Sequence, residues 1–307
     1  MFYRFDLTGN LPAIKVWLAG ARPRTLPAAV VPVLVGTACA VGERPGGLVV
    51  WRAVAAMVVA LAIQVATNFS NDYSDGKRGT DDPGQRVGPV RLVGWGLKPA
   101  SAVKTAAIIS FGVAAVAGLT LVVALRDPKL ILVGAASFAA GWFYTGGPRP
   151  YGYAGFGELF VFTFFGVVAT AGSCYVQLEK LTGLALGASV PVGLLATALL
   201  VTNNLRDIPG DTVVGKRTLA VRLGDRRTRA LYMALLVGAF VSVPLVCGLG
   251  ERPLGAISLA AILLARRPVT LVLGGAAGKD LIPVLAGTAR VQLAFGLLLA
   301  AGLTVHP

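Results

Sequence analysis

A chain of 307 residues that is 55% hydrophobic and only 14% charged, with a mean hydropathy of +0.74, carries more apolar surface than one water-soluble core can hide. The formal net charge of +14 is spread beside the apolar runs, which argues for an anionic membrane leaflet or an anionic substrate and against nucleic acid. Cys39, Cys174 and Cys247 stand singly in apolar runs and the one histidine is His306, so thiolate-metal and histidine general-base chemistry lack residues.

Taken in chain order, residues 1–10 include Arg4 and Asp6 and lack the apolar region and cleavage site of a secretory signal, so the first span is expected to direct insertion. Runs free of Asp, Glu, Lys and Arg follow at 25–42, 53–71, 105–125, 130–148, 159–178, 181–205, 230–250 and 291–307. Each is close to the ~20 residues that a spanning helix needs. A shorter run, 253–265, precedes Arg266, Arg267 and Pro268 and reads as a short or tilted helix whose arginines snorkel to the interface. The expected fold is an all-α polytopic membrane protein of about nine transmembrane helices. With nine crossings and an inside N-terminus, the 28 Lys and Arg divide into 22 inside and 6 outside, the bias that the positive-inside rule expects. Eight crossings, without the short run, are the alternative.

The polar residues concentrate at two places. After the second span come Asn68, Asp72, Asp75, Lys77, Arg78, Asp81 and Asp82, with four aspartates in eleven positions. On a helix, Asn68, Asp72 and Asp75 share one face. Such hard oxygen donors suit Mg²⁺, which combines one or two carboxylates with substrate phosphates and waters. At the end of the sixth span come Thr202, Asn203, Asn204, Arg206, Asp207 and Asp211, then Lys216 and Arg217. Thr67 aligns with Thr202, Asn68 with Asn203 and Asp72 with Asp207, each 135 residues apart. This predicts a bundle of two four-helix repeats, with halves at roughly 20–150 and 151–305 of a single domain covering 1–307. The two acidic sets would then face each other across one cavity and bind a metal-bridged diphosphate. A solvated loop explains either cluster alone, but not their repetition.

Between them, the loop after the fourth span carries Tyr144, Gly146, Gly147, Pro148, Arg149, Tyr151 and Tyr153. Tyr151 and Tyr153 read as interface-belt aromatics. Tyr144 precedes the turn on the side of both aspartate clusters, where its ring could face a cation. Arg149, the only charge between Lys129 and Glu158, could hold an anion.

The chain resembles the UbiA superfamily of intramembrane aromatic prenyltransferases over nearly its whole length. The resemblance rests on Ala21-Arg-Pro-Arg24-Thr, Asn71-Asp-Tyr-x-Asp75 with Gly79-Thr-Asp81, Tyr144-Thr-Gly-Gly-Pro, and Asn203-Asn-x-Arg206-Asp207-x-x-x-Asp211. The Asn-Asn-x-Arg-Asp wording and Gly215-Lys216-Arg-Thr-Leu are similar to the branch that prenylates 1,4-dihydroxy-2-naphthoate. The resemblance implies Mg²⁺ held by Asn68, Asp72, Asp75, Asp207 and Asp211. It implies substrate contacts at Arg24, Lys77, Arg78, Arg149, Asn204 and Lys216, and catalytic roles for the aspartates and Tyr144. Superfamily members often space the first motif Asp-x-x-Asp-x-x-x-Asp, whereas here the next aspartate after Asp75 is Asp81, which is open as ligand, base or water-mediated contact. The implied substrates are a polyprenyl diphosphate and an aromatic acid, and the implied products are diphosphate, carbon dioxide and a demethylmenaquinone. The implied location is the inner membrane of a bacterial cell, with the site facing the cytoplasm. Other acceptors, 4-hydroxybenzoate and homogentisate, fit the aspartate motifs equally. A secondary transporter also shows repeats and basic loops, but it gathers polar residues near mid-membrane rather than at helix ends.

Overall fold

Proline opens α2 and lies inside several of the other helices. The computed structural model describes residues 12–43, 46–81, 88 and 90–305; residues 1–10, Asp82 and His306, read above, lie outside them. The elements in order are α1 (Ala13–Ala21), a 3-10 turn (Pro23–Thr25), α2 (Pro27–Ala38), α3 (Val50–Lys77), α4 (Ala100–Leu125) and α5 (Lys129–Phe143). Then come α6 (Gly157–Val161), a π-helical stretch (Phe162–Val168) and α7 (Ala169–Leu178) as one rod. They are followed by α8 (Gly183–Val213), α9 (Leu219–Leu249), a 3-10 segment (Pro253–Ala261) leading into α10 (Ile262–Leu273), and α11 (Leu281–Leu303). Among the described residues every regular element is helical.

Seven of these rods are long and apolar enough to cross a membrane. The runs expected at 25–42 and 130–148 give shorter helices, α2 of 12 residues and α5 of 15. At 1.5 Å per residue α2 is about 18 Å long, short of the ~30 Å hydrocarbon core. Its start is set by Pro27 at its first position, which has no N–H to contribute. The expectation at 253–265 is corrected. The rod runs on to Leu273, through Arg266, Arg267 and Pro268, rather than ending at the arginines. Pro268 is accommodated because Gly287 of α11 lies against its ring, where even a Cβ would come within 3.2 Å. The last span likewise starts at Leu281 rather than near 291.

Small residues let the rods approach closely. A Cβ on Gly36 of α2 would lie 2.0 Å from the Thr170 carbonyl oxygen of α7, and one on Gly296 of α11 2.3 Å from Val31 of α2. In the π-helical stretch Gly166 meets Gly193 of α8, its added Cβ 2.6 Å from the Gly193 Cα. The largest buried cluster, including Val31, Val35, Tyr232, Phe240 and Phe295, packs α2, α8, α9 and α11 together. At the bundle end remote from the aspartates, fully buried Arg252 donates to the carbonyls of Leu303 at 2.6 Å and Val41 at 2.9 Å. Its guanidinium also lies 3.4 Å from Glu43.

Candidate active site at the mouth of an apolar cavity

The ends of α3 and α8 open into a cavity of about 1150 Å³. From α3 come Asn68, Asn71 and Asp75; from α8 come Asn203, Asn204, Asp207 and Asp211. Lys216, four residues from Thr212 in the turn after α8, completes the ionic mouth. Its Nζ lies 3.2 Å from Asp75 Oδ2 and 4.0 Å from Asp211 Oδ1. One ammonium therefore spans the two acidic motifs, although they are more than 130 residues apart in sequence. The ring of Tyr153 lies beneath that ammonium, 4.7 Å from its centroid, and the Tyr153 hydroxyl donates to Asp75 Oδ1 at 2.6 Å. Burial, and then the adjacent Asp75 charge, hold this hydroxyl far above the usual phenol range, so it stays a donor. Arg91 adds a second cation, 3.8 Å from Asp75 Oδ2 and 3.2 Å from Asp81 Oδ2. Asp207 is gripped through both oxygens by its neighbour Arg206 at 2.7 Å.

The structure does not bring all the expected residues to this mouth. Asp72 is fully buried and does not line the cavity; its two oxygens accept the backbone N–H groups of Leu92 and Val93 at 2.8 and 2.9 Å. It anchors a loop. Asp81 is also fully buried, paired with Arg91 behind the lining. Arg78 donates to the carbonyls of Thr145 and Gly147, tying α3 to the tyrosine loop. Lys77 sits near the Tyr73 ring, and Arg149 is exposed on its loop; neither lines the cavity. Arg24 and Tyr144 do line it. The Tyr144 ring stands edge-on to Tyr151 at 5.5 Å, and burial raises its hydroxyl well above the ordinary value.

Sequence reasoning quoted Asn71, Asn203 and Arg206 within the motifs without giving them a role, and passed over Arg91. The signal for Asn71 was present: Asn71 and Asp75 stand four apart, as do Asn203 and Asp207. Thr145 Oγ1 donates to Asn71 Oδ1 at 2.8 Å, and Asn204 Nδ2 to Glu158 Oε1 at 2.9 Å. Among the described residues no three acidic, imidazole or thiol side chains converge closely enough to cage a metal. The donors that do converge are carboxylate and amide oxygens supplied in ones and twos. That set fits Mg²⁺, which takes its remaining ligands from phosphates and water.

Fold and site together define a membrane-embedded helical enzyme with an ionic mouth above an apolar chamber. The UbiA prenyltransferase family model matches residues 29–273, and the chain belongs to that family. The 1,4-dihydroxy-2-naphthoate octaprenyltransferase of Mycobacterium tuberculosis is 49% identical over 287 residues, covering 94% of this chain and 96% of that protein. The fold is shared with a UbiA homologue from Aeropyrum pernix at a TM-score of 0.65 and 15% identity, covering 95% of this chain and 98% of that one. It is also shared with a UbiA homologue from Archaeoglobus fulgidus bound to GPP and Mg²⁺, at a TM-score of 0.59 and 14% identity, covering 93% and 99%.

Proposed function

We propose that this chain transfers a polyprenyl group from a polyprenyl diphosphate to 1,4-dihydroxy-2-naphthoate in menaquinone biosynthesis. The observation that carries the reading is Lys216 held between Asp75 and Asp211 at the mouth of an otherwise apolar cavity. The 49% identical relative supports the acceptor, and the Mg²⁺ and GPP bound by the Archaeoglobus homologue support the metal and the donor class. Asp75, Asp207 and Asp211, with the amide oxygens of Asn68, Asn71 and Asn203, would hold Mg²⁺. When bound, the metal neutralises the charge that grows on the leaving diphosphate. Lys216 and Arg91 hold diphosphate oxygens and orient the C–O bond. That bond breaks with its electron pair on the diphosphate. The apolar arm lined by Val59, Ile63, Gly118, Leu119 and Phe138 of α3, α4 and α5 takes the prenyl tail and excludes water that would quench the allylic cation. The Tyr144 face stabilises that cation. The naphthol carbon bearing the carboxyl bonds to it, carbon dioxide leaves, and the pair of the broken C–C bond restores the ring. The product is the demethylmenaquinone skeleton in its quinol form.

The same reading gives the architecture. The short helices α2 and α5 join the seven long rods as nine crossings. The units α2 to α5 and Gly157 to Leu273 are two four-helix repeats within one domain, and α11 is the ninth crossing. Asn71 and Asp75 then correspond to Asn203 and Asp207, one turn away from the Asn68 and Asp72 pairing, and Gly79 stands where the second half has Asp211. Parity puts both acidic helix ends on one side of the membrane, and the excess of Lys and Arg on that side favours the cytoplasmic face of a bacterial inner membrane. With native cysteines replaced, Thr80→Cys and Thr212→Cys should both resist an impermeant maleimide in intact cells and react after permeabilisation; labelling from opposite sides breaks the one-cavity mechanism. The function is tested by incubating purified protein in nanodiscs with Mg²⁺, a polyprenyl diphosphate and a panel of aromatic acids, with products read by mass spectrometry. Prenylated naphthalenediol that has lost carbon dioxide is expected, and transfer only to another acid overturns the assignment.

A further inference from the structure

Among the cations that line the cavity, Arg22 included, two sets differ in their partners. Arg91, Arg206 and Lys216 are each within ion-pair distance of a carboxylate. Arg267 of α10 and Arg290 of α11 also line the cavity and are exposed, yet among the described residues neither has a carboxylate partner. Arg290 makes a 3.3 Å contact from Nε to the Ala286 carbonyl of its own helix. No Asp or Glu occurs in either helix. Arg267 lies six residues from the end of α10 and Arg290 nine from the start of α11. Two arginines thus sit one to three turns inside apolar rods, a costly placement unless an anion meets them. Arg24, which also lines the cavity and has no carboxylate partner among the described residues, sits on the 3-10 turn that packs against α11. Ala28, Leu199, Leu285 and Ala289 form a buried apolar floor with Phe165 against it, carried in part by the same helix α11 as Arg290.

An apolar floor with guanidinium forks beside it suits a flat ring that carries one carboxylate. A diphosphate fits better where cations and metal-binding oxygens are interleaved, at Asp75, Asp211 and Lys216. Resting on the proposed function, we infer that Arg267 and Arg290 form the subsite for the carboxylate of the aromatic acceptor. They select an acid and set its ring against the floor formed by α2, α8 and α11.

The test measures steady-state kinetics for Arg267→Gln and Arg290→Gln in phosphatidylcholine nanodiscs, varying each substrate in turn. In each variant the acceptor KM should rise about ten-fold or more, as expected for one lost charge-assisted hydrogen bond. The prenyl diphosphate KM and kcat should stay within about two-fold, and Arg290→Lys should recover part of the loss. Direct binding in EDTA separates recognition from turnover. Wild-type protein should bind 1-hydroxy-2-naphthoate more tightly than its carboxamide, and the glutamine variants should not distinguish the two. An unchanged acceptor KM overturns the inference, as does a defect in the prenyl diphosphate KM. So does an effect seen only when anionic lipid is present, which would assign the arginines to a headgroup phosphate. If wild-type protein prenylates only a different acid, the proposed function fails, while the acid-against-amide binding comparison still decides the role of the arginines.

Discussion

The two acidic helix ends, on α3 and on α8, use the same residue types to different effect. On α8 the acids Asp207 and Asp211 both line the cavity, and Arg206 clasps the first of them. On α3 only Asp75 does so; Asp72 and Asp81 are turned into the scaffold, one holding two backbone N–H groups and the other holding Arg91. A motif rich in aspartate is therefore a statement about a region, and its separate acids divide between chemistry and architecture according to what packs behind them. Asp72 holds the loop at Leu92 and Val93, which presents two N–H groups in a dry setting, where leaving them unmet would cost about 1–3 kcal/mol each.

That division yields predictions in descending order of effect. Chelation with EDTA should abolish turnover and added Mg²⁺ should restore it, since the acidic mouth repels an unchelated diphosphate; full activity in metal-free buffer would remove the metal from the scheme. Asp75→Asn should lower kcat by about 10²-fold or more while thermal unfolding shifts little, because Lys216 keeps Asp211 and Arg91 keeps Asp81. Asp207→Ala should lose comparable activity and also stability, because it strands the buried Arg206 without a partner. Asp72→Asn is the converse: a loss of roughly 2 kcal/mol in stability, read by calorimetry or differential scanning fluorimetry, from setting an amide donor against a backbone donor. Its kcat should fall less than that of Asp75→Asn. A catalytic collapse in Asp72→Asn with unaltered stability would erase the distinction between the two acids.

Most of the bundle was legible because the apolar runs of this chain are too long to be loops, and seven of the helices they form are long and apolar enough to cross a membrane. What stayed hidden depended on neighbours. Asn68, Asn71, Asp72 and Asp75 offer two overlapping i,i+4 pairs on adjacent faces of α3, and nothing within the helix favours one. The loop at Leu92 and Val93, distant in sequence, makes the choice. Arg266 and Arg267 looked like the end of a helix because charge usually marks the interface. Arg267 instead faces a cavity that only the assembled bundle creates. The shortening of α5 at Phe143 was half visible, since Gly146, Gly147 and Pro148 advertised the turn, but not the residue at which it begins.

Arg252 also bears on the order in which the molecule is built. Its guanidinium reaches back to the Val41 carbonyl and forward to that of Leu303, so one of its partners has been synthesised long before it and the other some fifty residues after. Until α11 arrives, the newly inserted α9 and α10 hairpin carries an arginine with one of its carbonyl partners missing. Completion of α11 supplies that partner, so its last turn acts as the latch that commits the earlier helices to their arrangement. A chain cut short before Leu303 would carry its own mark of incompleteness.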